Sequence, residues 1–341
     1  MLCAVRRRMM RSKIFSLLVF GLLGAFTQQT FANCTTLSSS LTLGPISSFN
    51  VPSLNSTDNQ ISGGLSCSGT LTLFSNQYIQ YTALNIPSKL IHTDGKNSAN
   101  ITILDYDKNI VITSSKPIDL TRFVVISFFS GPNSSIPFYI RVNENTNLVP
   151  GTYKGQFLVK WFWRIPYLGI GGISLYYNSP NLKTNLLGNI TDWGTGQDAI
   201  INIELIVEKD CKINAQNINF GTAPLVSKFN PVTGTVQITC SAQTPYTVGL
   251  SNGQNYSQNR RMKNVSGNQY IPYEIYKNTT TQRWGYLGTD RWSSSNASQN
   301  AGIYDGSVTQ GYSYTAKIID DGSNASAEGT YKDNLILEVA F

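Results

Sequence analysis

Gly329-Thr330-Tyr331-Lys332-Asp333-Asn334-Leu335-Ile336-Leu337-Glu338-Val339-Ala340-Phe341 repeats a pattern set out 178 positions earlier at Gly151-Thr152-Tyr153-Lys154. The earlier copy runs into Phe157, Val159, Trp161 and Trp163, and Leu335, Leu337, Val339 and Phe341 hold the same places in the later one. Apolar residues at every second position mark a strand with one buried face. Both copies therefore predict a β-strand at this point.

Working outward, the cysteines show the same duplication. Cys34 is followed ten residues later by Gly44, and Cys211 ten residues later by Gly221; Cys67-Ser68 and Cys240-Ser241 then occupy equivalent places. Four landmarks in one order and at nearly one offset identify a tandem repeat. Between them lie short alternating runs, such as Val236, Ile238 and Cys240 around Gln237 and Thr239, separated by Gly, Asn, Ser and Pro. No window has a helical period with caps. The expectation is an all-β chain of two tandem β-sandwiches, 33–208 and 209–341, joined near Glu208-Lys209-Asp210.

Residues 1–32 read as a secretory signal. Arg6, Arg7, Arg8, Arg11 and Lys13 precede the apolar run Ile14 to Phe26, which leads to the small-residue site Thr30-Phe31-Ala32. A run of 13 residues is shorter than the roughly 20 of a membrane-spanning helix. Removing the leader takes five basic residues and no acid, so Lys+Arg falls from 26 to 21 against 19 Asp+Glu. The mature chain is then near +2, with its cations scattered, which argues against nucleic acid as a partner. Four cysteines remain, in pairs separated by 33 and 29 residues, without C-x-x-C spacing or a nearby His. In an exported chain that pattern predicts two local disulfides, Cys34 with Cys67 and Cys211 with Cys240, and no metal.

The two copies differ at their ends. After its Gly-Thr-Tyr strand the first continues through a long loop into one more alternating strand, with Ile201, Ile203, Leu205 and Val207 on one face. The second shows no counterpart after Phe341. A sandwich short of one strand exposes an apolar groove and unpaired backbone groups, which a strand from another chain can fill. Leu335, Leu337, Val339 and Phe341 are the expected lining of that groove.

No catalytic constellation is legible. His92, the single histidine, sits in Ile91-His92-Thr93-Asp94-Gly95, a strand end running into a turn, and no phosphate-binding, nucleophile-elbow or EF-hand motif is present. The expectation is a non-enzyme without a cofactor. The first copy instead has places where apolar residues occupy both parities. From Phe162 onward these are Trp163, Ile165, Tyr167, Leu168, Ile170 and Ile173, around the turn-forming Gly169 to Gly172. A second place is Phe128-Phe129 up to Pro132 and on to Ile136-Pro137-Phe138, and a weaker third is Ile86-Pro87 through Leu90-Ile91. Such segments either protrude as apolar hairpin tips or fold back onto the domain; the expectation is that Phe128, Phe129, Pro132, Trp163, Ile165, Tyr167, Leu168, Ile170 and Ile173 form surface-binding loops.

The landmarks Asp210-Cys211, Phe220-Gly221, Gln237-Ile238-Thr239-Cys240-Ser241 and Gly329-Thr330-Tyr331 with its closing strand resemble the spore coat protein U domain. That domain occurs in archaic, Csu-type chaperone-usher pili. The whole layout is similar to the tip adhesin of such a pilus. The resemblance implies an immunoglobulin-like pilin domain lacking its final strand, behind a complete receptor-binding domain with apolar finger loops. It implies a periplasmic chaperone, an outer-membrane usher and a strand-donating pilin as partners, with export through the periplasm to the pilus tip. Only Asn33 would precede Cys34 in the mature chain, leaving no extension to donate, which fits the tip position. A glycan-binding pilus adhesin and a structural coat or fibre subunit without a receptor are the alternatives.

Overall fold

A computed structural model describes residues 33–68, 71–73, 76–113, 115–123, 129–144, 147–170, 173–319 and 328–341. The expected signal segment and Phe128 lie outside them, as do the side chains of Leu168, Ile170 and Ile173. The described chain is built of strands and short 3₁₀ turns.

Hydrogen bonding runs through the first domain in the order Asn33–Thr36, Asn59–Ser68, Ser135–Val142, Ser98–Leu104, Lys89–His92 and the start of the long strand Gly151–Ile170. The second domain repeats this strand for strand with Cys211–Asn214, Val232–Cys240, Gln310–Ile318, Tyr270–Lys277, Arg260–Asn264 and Tyr331–Lys332. Further along, the long strand pairs with Asn76–Leu84, which pairs in turn with Pro117–Asp119. Its counterpart Leu337–Ala340 pairs with Thr247–Leu250, and that strand with Trp292–Ser293. The chain thus comprises two immunoglobulin-like sandwiches of one topology.

The shared landmarks have physical reasons. Cys34 faces Cys67 and Cys211 faces Cys240 directly across antiparallel pairs, with Cα atoms 4.1 and 4.0 Å apart, and both disulfides form. Gly151 and Gly329 hold φ of 142° and 150°, a region almost confined to glycine. A Cβ at Gly151 would meet the His92 ring, and one at Gly329 would lie 2.9 Å from Asn264 Nδ2. His92 and Asn264 are themselves equivalent, pairing with Tyr153 and Tyr331.

Each sandwich has its own core. In the first, Tyr81, Phe138 and Trp161 cluster with ring centroids 5.0–5.9 Å apart, and Trp161 Nε1 donates to Gly63 O at 2.8 Å. In the second, Trp284 packs edge-on to Trp292 at 5.2 Å and donates through Nε1 to Val248 O. The first core draws on residues up to Val207 and the second on residues from Cys211 onward. Polar contacts tie them together. The Ser48 and Ser241 hydroxyls lie 2.5 Å apart in a buried contact, Ser47 Oγ donates to the Asp210 carboxylate, and Asn147 Nδ2 donates to Gly306 O.

Candidate functional site

The strongest feature is where the copies diverge. In the first domain the second edge of the long strand pairs from Gly151 to Trp161 with the closing strand Gln197–Glu208, which pairs in parallel with Ser39–Ser47. In the second domain, among the described residues, no strand pairs with the second edge of Leu337–Ala340. Nor does 215–225 form a strand comparable to Ser39–Ser47.

Burial follows the missing strand. Phe157, Val159, Trp161 and Trp163 are all buried under the closing strand and its neighbours, whereas Leu335, Leu337 and Val339 are half-buried and Phe341 is 54% exposed. Across the gap, Leu43 is buried while its counterpart Phe220 is half-buried, resting edge-on against Tyr273 at 6.0 Å. Ile218 lies beside it. Leu335, Leu337 and Val339 pack half-buried against the second core, as do Ile218 and Phe220, while Phe341 lies exposed just beyond the strand. By analogy with the closing strand, the opening fits a strand antiparallel to Leu337–Ala340, with apolar side chains spaced like Ile201, Ile203, Leu205 and Val207.

The expected surface loops of the first domain need correction. Trp163 and Ile165 are each 1% exposed and belong to the core. The period of two does not fail after Phe162; the strand runs on to Ile170, paired on one edge with Asn76–Leu84 and on the other with Ile173–Asn178. Apolar residues occupy both parities because the outward face is also covered. Phe162 meets Trp193 edge-on at 6.4 Å, and the Arg164 guanidinium lies over the Tyr176 ring at 4.0 Å. Pro166 is accommodated by a register shift between Pro166 and Leu168. Tyr167 is half-exposed at the start of the hairpin that Leu168, Ile170 and Ile173 complete.

Pro132 is exposed in a 3₁₀ turn, Phe129 is half-buried against the core, and Ile136 and Phe138 are core residues. Leu90 is also core. With its strand it lies at the opposite end of the long strand, where Ile91 pairs with Lys154, so the third segment is no part of the same tip. The His92 ring packs tilted against Tyr153 with centroids 4.8 Å apart, and its Nε2 lies 3.2 Å from Pro150 O. Beside it, backbone N–H groups of Asn97 and Lys96 hold the Asp94 carboxyl well below the usual range, as expected of a turn. Among the described residues no group of three or more His, Cys, Asp or Glu side chains is placed to hold a metal.

The chain as a whole has similar solved structures. The chain is 34% identical to a chain in the crystal structure of the CsuC-CsuE chaperone-tip adhesion subunit pre-assembly complex from archaic chaperone-usher Csu pili of Acinetobacter baumannii. The match has a TM-score of 0.64 and covers 91% of this chain and 100% of that one. A model of the Spore Coat Protein U domain matches residues 197–338. The chain belongs to the Spore Coat Protein U domain family. It is a pilus adhesin subunit. Further similar structures are the CupB6 tip adhesin from Pseudomonas aeruginosa, at 12% identity and TM-score 0.33 over 90% of this chain and 93% of that one, and CfaE, the adhesive subunit of CFA/I fimbria of enterotoxigenic Escherichia coli, at 9% and 0.29 over 90% and 98%. No curated protein sequence matches the chain.

In this Spore Coat Protein U family member the open groove is braced from behind by charges that the sequence reading did not single out. The buried Arg260 guanidinium donates to the carbonyls of Ser251, Leu250 and Trp284, each at 2.8 Å, and to the Glu274 carboxylate. Glu274 also accepts from Arg283 Nε at 2.8 Å. Leu250 pairs with Leu337, so Arg260 fixes the strand on which the groove edge rests. Nothing in the local pattern Asn259-Arg260-Arg261-Met262 signals that the first arginine points inward.

Proposed function

We propose that this chain is the tip subunit of an archaic chaperone-usher pilus, with residues 33–208 meeting the surface and residues 209–341 joining the fibre. The observation that carries this reading is the asymmetry of the two copies: one sandwich is closed by its own strand, and its twin offers the same position to another chain. A periplasmic chaperone holds the groove first. The neighbouring pilin then replaces it by inserting a donor strand as the subunit leaves through the outer-membrane usher. At the cell surface the protein acts by binding rather than by catalysis, and attachment of many pili supports biofilm formation.

The attaching face in this reading is the far end of the first domain, around Tyr167, Leu168, Ile170, Ile173, Phe129 and Pro132, with Phe128 included from its place in the sequence alone. Trp163 and Ile165 support it from the core. Apolar contact without a stereospecific pocket suits such an end. Each fully buried large side chain contributes about 1.5–3 kcal/mol, and several are needed to exceed an association cost of about 4–15 kcal/mol. The test is attachment of assembled pili carrying Tyr167→Ser, Leu168→Ser and Ile170→Ser. The expected result is lost attachment to hydrophobic plastic at unchanged pilus number. Full attachment by such pili contradicts the reading, and inhibition by a free sugar would favour a glycan receptor instead.

A further inference from the structure

Strand Ser98–Leu104 turns back through Asp105-Tyr106-Asp107-Lys108-Asn109-Ile110, a hairpin closed by the bridge between Leu104 and Val111. Asp105 is fully buried, a place that an acid rarely takes without a partner. Its Oδ1 accepts from Ile110 N–H at 3.2 Å, but no donor reaches the buried Oδ2. The side chain beside it is a second acid, Asp107, close enough for the two carboxyls to share a hydrogen bond. Two carboxylates at that range do not both stay ionised unless something positive lies between them.

The loop's own cation does not serve. Lys108 Nζ lies 3.5 Å from the Asp58 carboxylate and 4.5 Å from the centre of the Tyr139 ring, and Asp58 is held in turn by Arg141 at 2.7 Å. A second orphaned group comes from another strand, Asn76–Leu84. The Tyr81 hydroxyl is buried, has no hydrogen-bond partner and is raised well above its usual value by burial and then by the charges of Asp105 and Asp107. A buried polar group without a partner calls for a water or an ion, and here two acidic side chains set the sign of that ion.

The chemistry of the donors narrows its identity. Asp105, Asp107 and Asn109 present side-chain oxygens at alternate positions, the spacing with which calcium loops begin, although Ile110 stands where an EF-hand needs Gly. All these donors are hard oxygens, which suit calcium and exclude a soft-metal preference. Two carboxylates with neutral oxygens and water make a weak site, of the class with dissociation constants of about 10⁻⁴–10⁻³ M. The place has structural leverage. Just beyond the turn the chain crosses to Asn76–Leu84, with Ile112 N–H donating to Ile103 O, Ser115 N–H to Ala83 O and Leu120 N–H to Ile79 O.

We propose that the carboxyl groups of Asp105 and Asp107, with the Asn109 side chain, form a calcium site that fastens this turn and the crossing behind it. The inference goes beyond the proposed function and stands or falls without it. The test uses terbium as a luminescent stand-in for calcium on the full chain, excited through tyrosine, with displacement by calcium and by magnesium, and thermal unfolding with and without about 10 mM calcium. Terbium should bind and calcium displace it at least about tenfold better than magnesium, which demands near-octahedral geometry. Calcium should also raise the unfolding temperature of the first domain. Asp107→Asn, at an exposed position and still able to accept from Asn109 N–H, should weaken binding at least about tenfold and abolish that rise. Asn109→Ala, also exposed, should weaken binding independently, and Asp198→Asn, an exposed acid paired with Lys160, should bind like the parent.

No terbium signal and no calcium-dependent rise would mean that the two acids hold a shared proton only, and overturns the site. Parent-like binding by both Asp107→Asn and Asn109→Ala places the ion elsewhere and overturns it too. Equal loss in Asp198→Asn shows diffuse attraction to surface acids, and displacement by magnesium as good as that by calcium removes the assignment to calcium; either result contradicts the proposal. If Asp107→Asn fails to fold, Asn109→Ala decides.

Discussion

At the scale of single residues, two buried charges make the sharpest tests. Asp105 is fully buried at the end of Ser98–Leu104, and burial, then its hydrogen bond to Asp107, raises its carboxyl to about 6. An acid whose folded value is raised keeps its proton in the native state after the unfolded chain has lost it. Its contribution to the stability of the first domain should therefore be fully present below about pH 4 and be lost, by on the order of 3 kcal/mol, as pH rises through about 6. Urea unfolding of the full chain across that range checks this, and Asp105→Asn should flatten the slope. In the second domain, Arg260→Met leaves three carbonyls without this donor and Glu274 with Arg283 as its one remaining arginine, and should destabilise by about 3–5 kcal/mol, read as a lower urea midpoint. Neither charge was legible as buried, because its partners come from turns and strands that only the fold brings together. The Gly-Thr-Tyr landmarks were legible as a repeat, but their cause, a glycine-only φ closed over by His92 or Asn264, was not.

At the scale of elements, the period of two carried most of the information. It located the long strand, the closing strand and the terminal strand, and cysteine spacing located both disulfides. It misled where a strand is covered on both faces. There, apolar residues at consecutive positions look like a loop, and Trp163 and Ile165 were placed at a surface when they fill the core. The consequence is testable. Trp163→Ala should destabilise the first domain by about 3–5 kcal/mol and reduce the amount of folded protein. Tyr167→Ser, half-buried at the start of the outer hairpin, should cost clearly less in thermal unfolding than Trp163→Ala. If the two variants unfold alike, the inward orientation of Trp163 is wrong.

At the scale of the molecule, one topology used twice explains both halves of the proposed role. In that role the closed copy stands at the end of the fibre, and the open copy would be finished by a strand entering beside Leu337–Ala340. The duplication was legible because it depends on order and spacing along the chain. The far wall of the groove, Ile218 and Phe220, was not, since it is defined by a parallel pairing in the first copy that sequence alone does not reveal. The most direct measurement is amide hydrogen exchange of the full chain, alone and with an alternating apolar strand fused through a flexible linker after Phe341. Among Leu337, Glu338, Val339 and Ala340, the amides not bonded to Thr247–Leu250 should exchange fast in the parent and become protected in the fusion, together with a raised unfolding temperature of the second domain. Equal exchange in both proteins would mean that the edge is already satisfied and that the second sandwich does not accept a strand there.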